Sequence, residues 1–410
     1  MATTPQAPSL TSFVGGPLLE NPYPLYAMLR ASNPVFQVPV PADVGAGVFL
    51  LTRHADVHAG LRDTRLSAQR RKADAIERNR AVLPRQLLGE DTMFSSMLMK
   101  DAPDHTRIRS LVNKAFTPRH IAELRPRIEA IAKELLAGPA RAGRMDVIGE
   151  LGAPLPAIVI AELLGVPAED HPKFRTWAAA IVAAPAAIAS GEQMDSFQRG
   201  FESIAEYLKS VIAARRSNPK ADLISALVAA QEDRDALTDA ELLGTSILLL
   251  LAGHETTTNL IGNGTLALLR NPGELQRLRA EPELLKSAIE EMLRFDSPVQ
   301  GTMRAALEDV EYGGKSLGKG ALVILGIGAA NRDPEVFPEP ERFDVARRDN
   351  RHLSFGFGAH FCLGAPLARL EGEIAFRQLL ESFPKLELTG EVTHRPNPVL
   401  RGLTRLDIVT

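Results

Sequence analysis

Cysteine is nearly missing: Cys362 is the one cysteine in 410 residues. No intramolecular disulfide can form, so the fold must rest on its core, as expected in a reducing cytoplasm. One thiol also cannot ligate an iron–sulfur cluster. An excess of either charge is missing too. The formal net charge is −3, which offers no basic surplus for nucleic acid and no acidic tail. The first residues, Met1-Ala2-Thr3-Thr4-Pro5-Gln6-Ala7-Pro8, have neither the charged nor the apolar part of a signal peptide. The most apolar run, Ile247-Leu248-Leu249-Leu250-Leu251-Ala252, falls far short of the ~20 residues that span a bilayer and reads as a buried helix. What these absences leave is a soluble globular protein, expected in the cytoplasm with no membrane anchor and no nucleic-acid partner.

What is there is mostly helix. Asn21-Pro22-Tyr23-Pro24 turns into a short helix, and Val35–Val38 and Gly47–Thr52 read as strands. From about Leu83 to Asp104 the pattern weakens, and helical periodicity then runs from Asp104 to Phe295. Thr238-Asp239-Ala240-Glu241 is a capping box opening a helix that continues to Arg270, where Asn271-Pro272-Gly273 stops it. Such a helix is roughly 48 Å long at 1.5 Å per residue. Being apolar all round its middle, it must run through the body of the molecule. After Pro298, glycines punctuate short strands such as Ala321–Leu325, and a second strand-rich segment follows Phe383. No repeat or low-complexity linker divides the chain. The expectation is one mainly α domain over residues 1–410, with a helical body at about 83–295 and 363–382 and β-rich parts at about 35–65, 298–330 and 384–410.

Cys362 sits in Phe355-Gly356-Phe357-Gly358-Ala359-His360-Phe361-Cys362-Leu363-Gly364-Ala365-Pro366-Leu367-Ala368-Arg369. A lone cysteine is usually a small buried hydrophobe. Here glycines let the backbone turn tightly toward a flat ligand, and a helix pattern with Leu363, Leu367, Leu370 and Ile374 on one stripe follows. That puts the sulfur at a helix N-terminus, where unpaired N–H groups favour a thiolate. The stretch resembles the haem-binding signature of the cytochrome P450 family, specifically its soluble bacterial members. The resemblance implies the P450-type fold and a non-covalent haem b with Cys362 as axial ligand and Phe355 beside it. It also implies monooxygenase activity: one oxygen atom from O2 inserted into a hydrophobic small molecule by hydroxylation or epoxidation.

Other segments agree in order and spacing. Ala252-Gly253-His254-Glu255-Thr256-Thr257-Thr258 resembles the family's A-G-x-D/E-T-T oxygen-activation motif. By itself it could be only a bent helix, each threonine hydroxyl bonding the carbonyl one turn back. By the resemblance Thr256 would assist oxygen activation and Glu255 would relay protons. Glu291-Met292-Leu293-Arg294 with Pro340-Glu341-Arg342-Phe343 resembles the structural triad Glu291, Arg294 and Arg342 that supports the haem loop. His105 and Arg109, with Arg304 and His360, match the family's propionate-holding set, and Ala102 stands where proline is usual. Phe94, Leu248, Leu251, Ala252, Val299 and Leu400 would face the substrate. No reductase or ferredoxin domain is fused. Electrons would come from NAD(P)H through a reductase and a separate ferredoxin or flavodoxin, docking near Arg107, Lys114, Arg119, Arg369 and Arg377 of a monomeric enzyme. Two other readings remain: a haem-thiolate peroxygenase, or a non-catalytic haem sensor with no use for Glu255 and Thr256.

Overall fold

The computed structural model describes residues 17–39, 44–78, 95–114, 116–171, 173–174, 176–177, 195–231 and 237–409. Its main helices are α1 (Tyr23–Ser32), α2 (Asp104–Asn113), α3 (Arg125–Ala142), α4 (Pro154–Leu164), α5 (Asp195–Ser217), α6 (Asp239–Arg270), α7 (Leu285–Phe295) and α8 (Ala365–Ser382). The long helix α6 starts and stops where its residues say it should. Thr238 Oγ1 accepts from the Glu241 N–H at 3.2 Å, and the Glu241 carboxylate accepts from the Thr238 N–H at 2.9 Å. Asn271 closes the far end. The same carboxylate takes the Arg107 guanidinium at 2.6 Å, which ties α2 to the start of α6.

Helix α6 is buried on every side through most of its length and packs against α4, α5, α7 and α8. Full burial of residues such as Leu242, Ile247 and Ile261 contributes about 1.5–3 kcal/mol each. Gly264 permits a close crossing: a Cβ there would lie 2.7 Å from both Met292 of α7 and Phe376 of α8.

Strands β1 (Val35–Gln37), β2 (Val48–Leu51), β3 (Leu66–Ser67), β5 (Thr302–Ala306) and β8 (Leu322–Leu325) form one sheet in the order β1-β2-β8-β5-β3. Among the described strands only β2 and β8 pair in parallel, with Val48 opposite Leu322. A second sheet joins β4 (Arg144–Asp146), β10 (Leu403–Val409) and β9 (Glu387–His394), and β6 (Val310–Tyr312) and β7 (Lys315–Leu317) make a hairpin. The hairpin turns at Gly313 and Gly314, both at positive φ, the requirement of a tight two-residue turn. Strand β4 lies inside the expected helical body, about 83–295. Three residues are too few to show a period of two, and its pairing with β10 is not local. The 35–65 segment likewise includes a helix, His54–Gly60, and 298–330 includes the short helix Ile327–Ala330.

Candidate active site

The loop before α8 holds Cys362 by its backbone: the Cys362 N–H donates to Phe355 O at 2.8 Å. Gly356 and Gly358 stand at φ 68° and 71°, and a Cβ on Gly358 would press to 3.0 Å from the Leu61 carbonyl, so the loop needs glycine there. Cys362 packs on the cluster that contains Leu260 of α6, Leu293 and Ala365. The Gly364 and Ala365 N–H groups and the charges of Arg109 and Arg369 favour its thiolate, but burial is the larger effect and pushes the free thiol up. Bonding to a metal ion reverses that balance, since a coordinating thiol is deprotonated outright. Phe355 lies under the Arg369 guanidinium, 4.5 Å from the ring centroid, and Arg369 is fixed by Glu290 at 2.7 and 2.8 Å.

Two histidines and two arginines gather beside this loop. The His105 and His360 rings lie 4.1 Å apart, centroid to centroid. Burial, then His105 and Arg304, push His360 down to about 3. Arg304 donates to Thr302 Oγ1 at 3.1 Å and to Met303 O at 2.9 Å, and Arg109 donates to Asn113 at 3.2 Å. Burial lowers the pKa of both arginines. Among the described residues neither has an ion-pair partner, and His105 Nε2 is buried with no acceptor. The carboxylate whose charge reaches Arg304 is Asp101, which is already held by Ser67, the Ala68 N–H and Gln69. Buried guanidinium groups without counter-charge are costly. A flat macrocycle with two carboxylates, iron-bound at the thiol, answers the buried donors, the unmatched charge and the glycine loop together. The residues fit haem.

The facing wall is the middle of α6. Ala252 is exposed and Leu248 and Leu251 are half-buried on a helix otherwise enclosed, so one stripe of α6 lines a chamber. A Cβ on Gly253 would approach Ile160 to 3.0 Å. Thr256 Oγ1 donates to Ala252 O at 2.7 Å, and Thr258 Oγ1 to His254 O at 3.0 Å. Glu255 is buried and paired with Arg395, which follows β9. Burial raises the Glu255 pKa while the Arg395 charge opposes the rise. Val299 and Leu400 bridge to one another as backbone partners. Phe94 lies outside the described residues.

Residues 173–403 match the family model for cytochrome P450. The chain is 42% identical over 396 residues to the polyketide biosynthesis cytochrome P450 PksS of Bacillus subtilis, covering 95% of each chain. It is 42% identical to the vitamin D(3) 25-hydroxylase of Pseudonocardia autotrophica, covering 100% of this chain and 98% of that one. The structure of PksS superposes with a TM-score of 0.87 at 40% identity, covering 97% of this chain and 98% of the other. A myxobacterial cytochrome P450 in complex with myristic acid also gives 0.87, at 38% identity and with 98% and 99% covered. The chain belongs to the cytochrome P450 family. It is therefore a monooxygenase acting on small molecules with a cysteine-ligated haem b.

In this P450 the ion cluster under the haem loop differs from the sequence expectation. Arg294 and Glu291 are both fully buried and joined by two bonds of 2.7 and 2.8 Å. The third cation is Arg347, whose Nε lies 3.1 and 3.2 Å from the Glu291 oxygens. Arg342 contributes only its carbonyl, which accepts from Arg294 at 3.1 Å, while its guanidinium turns outward to Glu339. Five positions separate the two arginines, and only the course of the loop decides which one points in. Arg395 was also missed. Nothing near it in sequence marks it, because its partner Glu255 lies on another element.

The cations expected at a docking face are mostly spoken for. Arg107 pairs with Glu241, Arg119 with Glu123, Arg369 with Glu290 and Arg377 with Glu373. Lys114 has no ion-pair partner among the described residues. A cleft of about 570 Å³ opens beside the start of α8, lined among others by Lys286, Arg347, Arg348 and Arg369.

Proposed function

We propose that this P450 oxidises a bulky hydrophobic molecule, that Cys362 is its iron ligand, and that a separate ferredoxin or flavodoxin supplies the electrons. One observation carries the reading: the chain's only cysteine lies on a glycine loop beside Arg304, buried, and Arg109, part-buried, neither of which has an ion-pair partner among the described residues. The haem supplies the iron at which dioxygen is bound and cleaved. The protein's own residues do the rest. His105, Arg109, Arg304 and His360 would hold the propionates. Leu248, Leu251, Ala252, Val299 and Leu400 give the substrate an apolar wall, which suits the kinds of molecule named for relatives, a polyketide and vitamin D3. Burial raises the Glu255 pKa toward the range of a proton donor, and its partner Arg395 links it to the partly exposed surface. The Thr256 hydroxyl donates to Ala252 O, which leaves its oxygen free to accept from a donor in the chamber.

No described helix is long and apolar enough to cross a membrane. A small acidic electron carrier would be steered by the cleft beside α8, where Lys286 and Arg348 have no ion-pair partner among the described residues. The test is spectroscopic and catalytic. Wild type, reduced under carbon monoxide, gives the thiolate-type Soret band, and Cys362→Ser loses it while still binding haem. Oxidised product then forms only with an electron donor. A Cys362→Ser variant with an unchanged band and full turnover would overturn the assignment. Reversing Lys286 and Arg348 to Glu slows reduction by ferredoxin and leaves substrate-induced spectral shifts intact.

A further inference from the structure

Arg70 lies beside Arg304 and has no duty in the site above. It opens a short turn, Arg70–Lys72, that follows β3 and packs on β5, the strand carrying Arg304. The Arg70 and Arg304 guanidinium groups are near enough to repel one another. Arg70 Nε is buried with no acceptor, and among the described residues its side chain makes no hydrogen bond or ion pair. The contrast with its neighbours is informative. Asp101 comes to this same turn, yet its carboxylate is given to Ser67, Ala68 and Gln69, and its ion pair, at 3.7 Å, is with Lys72. The fold thus brings an acid close and withholds it from Arg70. A buried guanidinium beside a part-buried one whose Nε is sealed from water, with no acid paired to either among the described residues, is unfavourable unless an anion from outside the chain completes them. Burial first, and Arg304 second, push Arg70 down to about 10, the direction expected of a cation awaiting such an anion.

We propose that Arg70, acting with Arg304, binds a carboxylate inside the haem chamber. The proposal rests on the reading of this chain as a haem-thiolate enzyme. Carboxylates of that kind come from two sources, a haem propionate or the acid group of a bound substrate. Arg70→Leu and Arg70→Lys, purified with haem, separate them. In one arm, haem transfer to excess apomyoglobin is timed. In the other, myristic acid and methyl myristate are titrated by the shift of the Soret band. If the source is a propionate, Arg70→Leu loses haem about tenfold faster and its preference for acid over ester is unchanged. If it is a substrate acid, haem transfer is unchanged and the preference falls about tenfold, the size expected for one charge-assisted hydrogen bond. Arg70→Lys recovers part of either loss, which a mere packing defect would not show. Unchanged haem transfer in Arg70→Leu, together with an unchanged or absent acid preference, overturns the proposal. The thiolate-type carbon-monoxide band of wild type is read separately, so a failure of the haem-thiolate reading is not mistaken for a failure of Arg70.

Discussion

A threonine in mid-helix can bend the helix or serve chemistry, and Thr256 is placed to do both. Its hydroxyl bonds Ala252 O one turn back, as a helix-bending threonine does, on the stripe of α6 that lines the chamber. Thr256→Ala should therefore keep the helix while product per electron pair falls and released peroxide rises. Normal coupling in this variant would leave only the bending role. Glu255→Gln should slow product formation by about a hundredfold, the low end for general acid–base catalysis. Arg395 holds the Glu255 pKa below where burial alone would put it. Arg395→Gln should therefore move the Glu255 limb of the pH profile to higher pH, measured in single turnovers. A limb that stays put would show that the ion pair does not tune the acid. At this scale the residues that sit together in one motif were legible: Cys362 with its glycines, Glu255 with Thr256. Arg395 and Arg347 were not, because a guanidinium on a flexible stem reaches its partner from another element.

Elements whose signals are local came through in the sequence. Helix α6 carries its own cap at Thr238 and its own stop at Asn271-Pro272, so both ends could be read within a residue. Strand β4 exists only because β10 pairs with it, and no local pattern could announce that. The connection between α7 and the haem loop also depends on partners. Glu291 accepts from Arg294, Arg347, Asn350 and the Asp344 N–H, in a site closed to water. Glu291→Gln leaves two buried cations without their carboxylate, and a loss of about 3–5 kcal/mol is expected. Urea unfolding of the haem-loaded protein would measure it, and haem content should fall in parallel. Arg342→Ala, by contrast, keeps the carbonyl and should cost under about 1 kcal/mol. Equal losses in the two variants would contradict the placement of Arg347.

For the molecule as a whole, one buried acid couples stability to pH. Glu371 of α8 lies beside Thr257 of α6, wholly enclosed, and burial pushes it up to about 8 from the ordinary glutamate value of 4.5. The folded protein therefore keeps a proton on Glu371 that the unfolded chain releases near pH 4.5. Between about pH 4.5 and 8 the folded state binds more protons, so this group's contribution falls as pH rises, by up to about 1.4 kcal/mol per unit. Glu371→Gln removes the titration. Its stability relative to wild type should climb across that window and level off above it, as read from urea midpoints at several pH values. A difference that does not vary with pH would place the carboxyl in an ionised, compensated site instead.

The parallel pairing of β2 with β8 also bears on the order in which the protein is made ready. Val48 meets Leu322 only after nearly the whole helical body has been laid down between them. Closing so long a loop costs entropy before any ladder bond rewards it, whereas α6 nucleates from its own capping box. Pulse-labelled amide exchange during refolding should find α6 protected early and β2 late. The sheet that carries Arg304 would then be the last wall raised, so haem would meet a chamber still open on that side and could enter before it shuts.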